Sequence, residues 1–308
     1  MAYEGKLLKP PDLPITYSIP ADPVGRRPAG EGPCGSVALV WFSLVASYYH
    51  FRQLVVAFLL AAGLLVCAAV LVLVPSWHLF GKVLSRSEWG LFNLGVSLVL
   101  ITPLIVGYTY VALLAIQELR PRAREVLHPV RSGRRLGNVL VAGGLPAAGG
   151  WAVTSLMGLI GRTLPPIPED LFWTEFFRGL PGTLALLLVL PLVFSGIDVL
   201  AARHDFRAAI VRSIGFMVRQ PRLFVGFAVI SVLVNLIIQA GIAAIKISHV
   251  WLEAHLGGDA ILLLILLLLV WFWVLLIFET VVFVHFYREF VWREREAVPP
   301  ASAVPTCS

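Results

Sequence analysis

The sequence predicts an all-α, polytopic membrane bundle of six transmembrane helices, with amphipathic interfacial helices on its cytoplasmic and periplasmic sides. Three observations carry that expectation: composition, the length of the apolar blocks, and the placement of basic residues. Of 308 residues, 58% are hydrophobic and only 14% are charged, where a soluble domain carries about 25%. The apolar residues gather in blocks close to 20 residues, which at about 1.5 Å per residue cross a ~30 Å hydrocarbon layer. The blocks do not alternate polar and apolar residues, which excludes a transmembrane β-barrel.

Taken in order, the blocks are 53–75, 91–116, 138–161, 181–200, 223–246 and 261–286. They form a transmembrane domain over 36–290. The first 35 residues hold seven of the 21 prolines, in "KPPDLP" and "GRRPAGEGP", and read as a disordered cytoplasmic tail. No apolar core precedes a cleavage site there, so the tail is not a signal peptide. "SVALVWFSLVASYYH" is too short to cross and ends in Tyr48, Tyr49, His50 and Arg52. It reads as an interfacial helix, with a seventh short crossing as the lesser alternative. Residues 291–308 read as a second cytoplasmic tail.

Orientation follows from the cations. Nineteen of the 24 Lys and Arg fall in the N-terminal segment, the 117–137 and 201–222 loops, and the C-terminal tail. Lys82, Arg86, Arg162, Arg178 and Lys246 fall on the other side. The positive-inside rule then places both termini in the cytoplasm, and only an even number of spans keeps that alternation.

"DFRAAIVRSIGFMVRQP", residues 205–221, is the most structured of the connectors. Asp205 is a helix N-cap and Pro221 a stop. At 100° per residue, Phe206, Ile210, Ile214, Met217 and Val218 share one side, while Arg212 and Arg219 lie on another. The expected role is a basic amphipathic helix along the membrane or beneath the bundle. Arg207, Arg212, Arg219 and Arg222 would then contact the phosphates of an anionic bilayer, with a plain connector as the alternative. Nucleic acid is not expected as a partner. The 117–137 loop repeats the layout, proline in the span (Pro103), basic helical segment, proline (Pro129), next span. Segments 95–150 and 183–240 therefore suggest a weak parallel duplication.

"PLIVGYTYVALL", followed by "FRAAIVRSIGFMVRQPRLFVGFAVISVLVNLI", resembles bacterial six-span integral membrane families of unknown function. One of them is the membrane domain associated with glycerophosphodiester phosphodiesterases. The shared pattern is matched by Ala209, Arg212, Ser213, Arg219 and Pro221, and the resemblance covers spans two to five. It departs in the 117–137 loop, where "QELRPRARE" replaces a Gly-rich turn. What the resemblance implies is a fold and a bacterial inner-membrane location; it brings no activity, since the chain has no phosphodiesterase domain.

Ionisable groups inside spans cost about 2.5–3.5 kcal/mol each on insertion scales, so each is a candidate site. Asp198 lies near the cytoplasmic end of span four, within reach of water or Arg203. Glu279 lies about 10 Å inside span six, either paired with an arginine of a cytoplasmic helix or serving as a proton or substrate site. Ser231, Asn235 and Gln239 form an i, i+4, i+8 stripe on span five, for interhelical hydrogen bonds or for a polar cavity. In span three the Gly144–Ala148–Ala152 spacing permits close helix approach.

Catalytic signatures are absent: no Walker loop, HExxH, G-x-S-x-G or dinucleotide fingerprint occurs. His249, Glu253 and His255 do not share one helical face, so no metal site and no cofactor are expected. Cys34, Cys67 and Cys307 are isolated. "PEDLFWTEFFRG" reads as an aromatic periplasmic anchor. Two functions fit these residues, a non-enzymatic membrane scaffold or accessory subunit, and a transporter of a small solute or lipid along a polar path near Glu279 and Asn235. An enzyme ranks third.

Overall fold

A computed structural model describes residues 24, 25, 27, 32–80, 86–117, 121–161, 187–202, 204–256 and 258–297. Among these residues every regular element is a helix. In order they are α1 (Ser36–Tyr49), α2 (Phe51–Phe80), α3 (Arg86–Ile116), a 3₁₀ segment (Ala123–Arg131) and α4 (Gly133–Gly161). A short 3₁₀ turn (Leu190–Leu192) follows, then α5 (Ser195–Ala201), α6 (Phe206–Arg219), α7 (Pro221–Leu256) and α8 (Gly258–Ala297).

Three stretches among the described residues are long and apolar enough to cross a membrane: Phe51–Val72, Leu98–Ile116 and Pro221–Gly241. α4 and α8 run through the third and sixth expected blocks. The fourth block differs from the expected continuous rod. Its described part, Leu187–Ala201, is interrupted by the Leu190–Leu192 turn before α5 begins. Pro191 supplies no backbone N–H, which disfavours an unbroken helix there. The broken backbone is tolerated because it is packed inside protein: Leu190, Phe194, Ser195 and Ile197 are all buried.

The end of the molecule that carries the 3₁₀ segment and α6, here called the connector end, holds the folded core. Phe194 sits at its centre, with Phe227, Phe283, Tyr287 and Phe290 at ring-centroid distances of 4.8–6.0 Å. Phe216 closes the cluster, stacked on Phe290 at 5.1 Å. Aromatic pairs in such geometries add about 0.5–1.5 kcal/mol each beyond the area they bury.

The basic helical segment expected in the 117–137 connector is present over Ala123–Arg131, wound as 3₁₀. It is a nine-residue 3₁₀ segment folded against α3, with Val126 fully buried and His128 stacked on Tyr110 at 5.0 Å. Gly107 permits this: a Cβ there would collide with the Val126 carbonyl oxygen. The two supposed repeat units therefore differ in their connectors, one 3₁₀ and one α.

α4 also turns differently from expectation. Its close approach is made by Gly143, whose Cβ would meet Thr102 at 2.8 Å and Val106 at 3.1 Å, and by Gly149 against Val189. Gly144 has open space at its Cβ position and Ala152 is exposed. One residue is about 100° of helix rotation, so the spacing argument identified a neighbouring stripe.

The termini are less separate than the sequence suggests. Within the tail expected to be disordered, Val24 is buried, and the Gly25 carbonyl accepts from Trp292 Nε1 (3.3 Å) and Arg295 Nη1 (2.7 Å). α8 continues to Ala297, past the expected start of a tail at 291.

Candidate functional site

The most connected polar group in the described residues is a buried ionic cluster at the connector end. Asp198 on α5 is fully buried. Its Oδ1 accepts from Arg212 Nη1 and from the Tyr287 hydroxyl, each at 2.7 Å. Its Oδ2 lies 2.7 Å from His204 Nδ1. Arg212 Nε donates to Glu294 Oε2 at 2.6 Å, and Arg219 Nη1 donates to Glu294 Oε1 at 2.9 Å. The cluster thus joins α5, α6 and α8 through alternating charges.

Local sequence explains how the parts arrive. Asp205 adopts an extended backbone and accepts from the Ala208 N–H at 2.9 Å, which starts α6 where the cap was expected. Arg212 and Phe216 then follow at helical spacing, with the guanidinium 5.5 Å from the Phe216 ring. Ser213 donates to the Pro191 carbonyl at 2.6 Å, satisfying an acceptor freed by the broken helix. Ser195 donates to Ala142 and Leu192 carbonyls. Pro221 occupies the first position of α7, which suits its missing N–H.

Electrostatics favour a fully charged Arg212. Burial acts to lower its pKa, but Asp198, Tyr287 and Glu294 together outweigh burial and hold it above the ordinary guanidinium value. Both Asp198 oxygens are taken, and the nearby hydroxyls of Ser195 and Ser213 donate to backbone. The arrangement locks helices together.

A second cluster clamps the N-terminal segment to α8. Glu289 is buried and accepts from Arg293 Nε (2.7 Å), Arg27 Nη2 (3.2 Å) and the Cys34 N–H (3.1 Å). Arg293 Nη2 donates to the Cys34 carbonyl at 2.6 Å, and Arg27 Nε lies 2.9 Å from Glu296. Arg27 and Arg288 both lie over the Trp292 ring.

Several residues singled out from sequence fall elsewhere than expected. Arg212 turns into the protein: its side chain is 16% exposed and pairs with two carboxylates. The inward side of α6 is Ala209, Arg212, Ser213 and Phe216, while Val211, Ile214 and Val218 are exposed. The expected apolar side is thus not turned into the protein at Ile214 and Val218. Arg219, Arg207 and Arg222 are exposed, and among the described residues only Arg219 of these is in an ion pair. Asp198 pairs with Arg212, and Arg203 lies outside the described residues. Glu279 is half-buried and, among the described residues, makes no ion pair with an arginine; the buried carboxylates there that do are Asp198 and Glu289.

Helix register nevertheless brings Glu279 near the polar stripe. Phe227 meets Phe283 and Phe286, and Gly241 approaches Trp271, so α7 and α8 run antiparallel. That register sets Glu279 at the level of Ser231 and Asn235. Ser231 is buried, whereas Asn235 and Gln239 are half-buried. The side chains of His249, Glu253 and His255, and the whole of 168–179, lie outside what is described. Among described residues no group of three His, Cys, Asp or Glu is placed to hold a metal.

Sequence reasoning missed Glu289, Glu294, Tyr287 and His204. The available signal was the i, i+3, i+7 spacing of Tyr287, Phe290 and Glu294, which puts an aromatic stripe and a carboxylate on one helical face beyond the span. Comparison with family models, curated proteins and solved structures finds no match for this chain.

Proposed function

We propose that this chain is a six-span inner-membrane protein with both termini in the cytoplasm, acting as a non-enzymatic scaffold or accessory subunit. The connector end is then its cytoplasmic face, and the Asp198–Arg212–Glu294 cluster holds that face in one arrangement. The observation that carries the reading is the consumption of charge. Asp198, Arg212 and Glu294 pair with one another, and Arg293 pairs with Glu289 in a second cluster, which suits a rigid platform better than a reaction centre. The likeness to six-span bacterial families, including the membrane domain associated with glycerophosphodiester phosphodiesterases, belongs to the same proposal and rests on Ala209, Arg212, Ser213, Arg219 and Pro221. Four of these five lie in α6, where Arg212, Ser213 and Arg219 make its polar contacts to other elements.

One observation favours a second reading, transport of a small solute or lipid. Glu279, in a membrane-spanning helix and without an ion-pair partner among the described residues, lies at the level of Ser231 and Asn235 on the facing helix. Two experiments separate the readings. Single cysteines at Ser85 and Ser302 should label from opposite sides of the membrane; labelling from one side removes the six-span topology. Isolation from native membranes should recover a stoichiometric protein partner. Solute flux in proteoliposomes that is abolished by Glu279→Gln would replace the scaffold reading with transport.

A further inference from the structure

An open groove of about 630 Å³ separates α1 from α7. Ser36, Val40 and Trp41 line one wall, and Gly226, Val229 and Leu233 line the other. Its size falls in the range of roughly 300–1,000 Å³ typical of ligand pockets, but its lining is almost wholly apolar. Trp41, Val229 and Leu233 are each more than half exposed. The groove closes at one end, where Ser36 sits so close to Gly226 that a Cβ on Gly226 would overlap its hydroxyl.

Charge identifies the occupant. Arg222 precedes Gly226 by four residues and lies on the same face of α7 as Gly226, Val229 and Leu233. It is exposed and forms no ion pair among the described residues, whereas Arg212 and Arg219 are both held by Glu294. An uncommitted cation therefore stands one turn beyond the closed end of an apolar trough. Those two features match an anionic phospholipid, phosphate against Arg222 and one acyl chain along the trough.

We propose that the α1–α7 groove is a binding site for an anionic phospholipid of the leaflet facing the connector end, with Arg222 as its headgroup contact. The proposal rests on the membrane reading above but not on either function.

The test uses the full chain in phosphatidylcholine nanodiscs doped with phosphatidylglycerol bearing a photoreactive acyl chain, and maps the label by mass spectrometry. The exposed face of α2 (Val56, Leu59, Val66) is an ordinary lipid contact and serves as the internal reference. Segments 36–44 and 226–233 should be labelled in preference to α2. Arg222→Gln should lower groove labelling about five-fold, the effect expected for one basic residue at an anionic surface. Val229→Trp should fill the trough and abolish groove labelling while α2 labelling persists. Equal labelling of groove and α2, or equal groove labelling by a photoreactive phosphatidylcholine, overturns the site. Cross-links between two copies at Trp41 would replace the lipid with a second chain. Loss of α2 labelling in every sample would refute the membrane reading itself.

Discussion

α2 and α3 are both apolar helices long enough to span a bilayer, yet they stand in opposite environments. Within an apolar 18-residue window of Phe51–Val72 only 6% of the residues are buried in the protein, against 67% for Leu98–Ile116. The buried one is the more polar: it places Thr102, Tyr108, Thr109 and Tyr110 inside, and Tyr110 stacks on His128. In water this order would be reversed. Where the solvent is hydrocarbon, a leucine gains little by leaving it, and packing and polar contacts decide which helix goes inside. The comparison also explains why the folded core lies at the connector end, where backbone breaks, charges and aromatic rings have partners to find.

Substitutions can break this contrast. The largest effect is expected at the core: Phe194→Ala should destabilise the purified protein by about 3–5 kcal/mol, whereas Val66→Ala on the exposed face of α2 should cost under about 0.5 kcal/mol. Detergent unfolding monitored by circular dichroism measures both, and equal effects would erase the distinction. Asp198→Ala should cost less, about 1–3 kcal/mol, because the buried Tyr287 hydroxyl loses its acceptor and Arg212 keeps only one of its two carboxylates. Replacing Asp198 and Arg212 together by leucine and methionine should recover much of that loss; no recovery would mean the pair is more than a mutual neutralisation.

Smaller effects sharpen the picture of close approach. Gly107→Ala should cost about 1–3 kcal/mol, since the new methyl meets the Val126 carbonyl. Gly144→Ala faces open space and should gain up to about 1 kcal/mol from helix propensity. The signs of the two shifts in unfolding midpoint are the readout, and a matching sign would move the contact face of α4. Asp205→Ala should cost about 1 kcal/mol through loss of the α6 cap, and Asp205→Asn should restore it. Smallest is Arg219→Ala, a largely exposed partner of Glu294, with at most about 1 kcal/mol expected and a dependence on salt.

How much of the site could be read beforehand divides along the same line. The α6 cap at Asp205 and the helix boundary at Pro221 were legible because both are local: a side chain or ring acting on backbone within a few residues. Asp198 was legible as an unusual acid in an apolar block, but its partners were not. Arg212 is 14 residues away and Tyr287 is 89, and nothing in either spacing says that they meet Asp198. Glu279 shows the converse, for an acid deep in a span suggested a pair that the arginines had already formed elsewhere.

By itself the amino-acid order determined the helical class, the membrane-length blocks and the boundaries of α6. Those depend on hydrophobic length, proline and capping, which act along the chain. Only the tertiary structure decided that Arg212 turns inward while Val211 and Val218 turn out, that Gly143 and not Gly144 makes the contact, and that α2 stays outside. Periodicity tells which residues share a face of a helix. Which face is turned inward depends on what the other helices offer, and in a chain this apolar hydrophobicity alone does not make that choice.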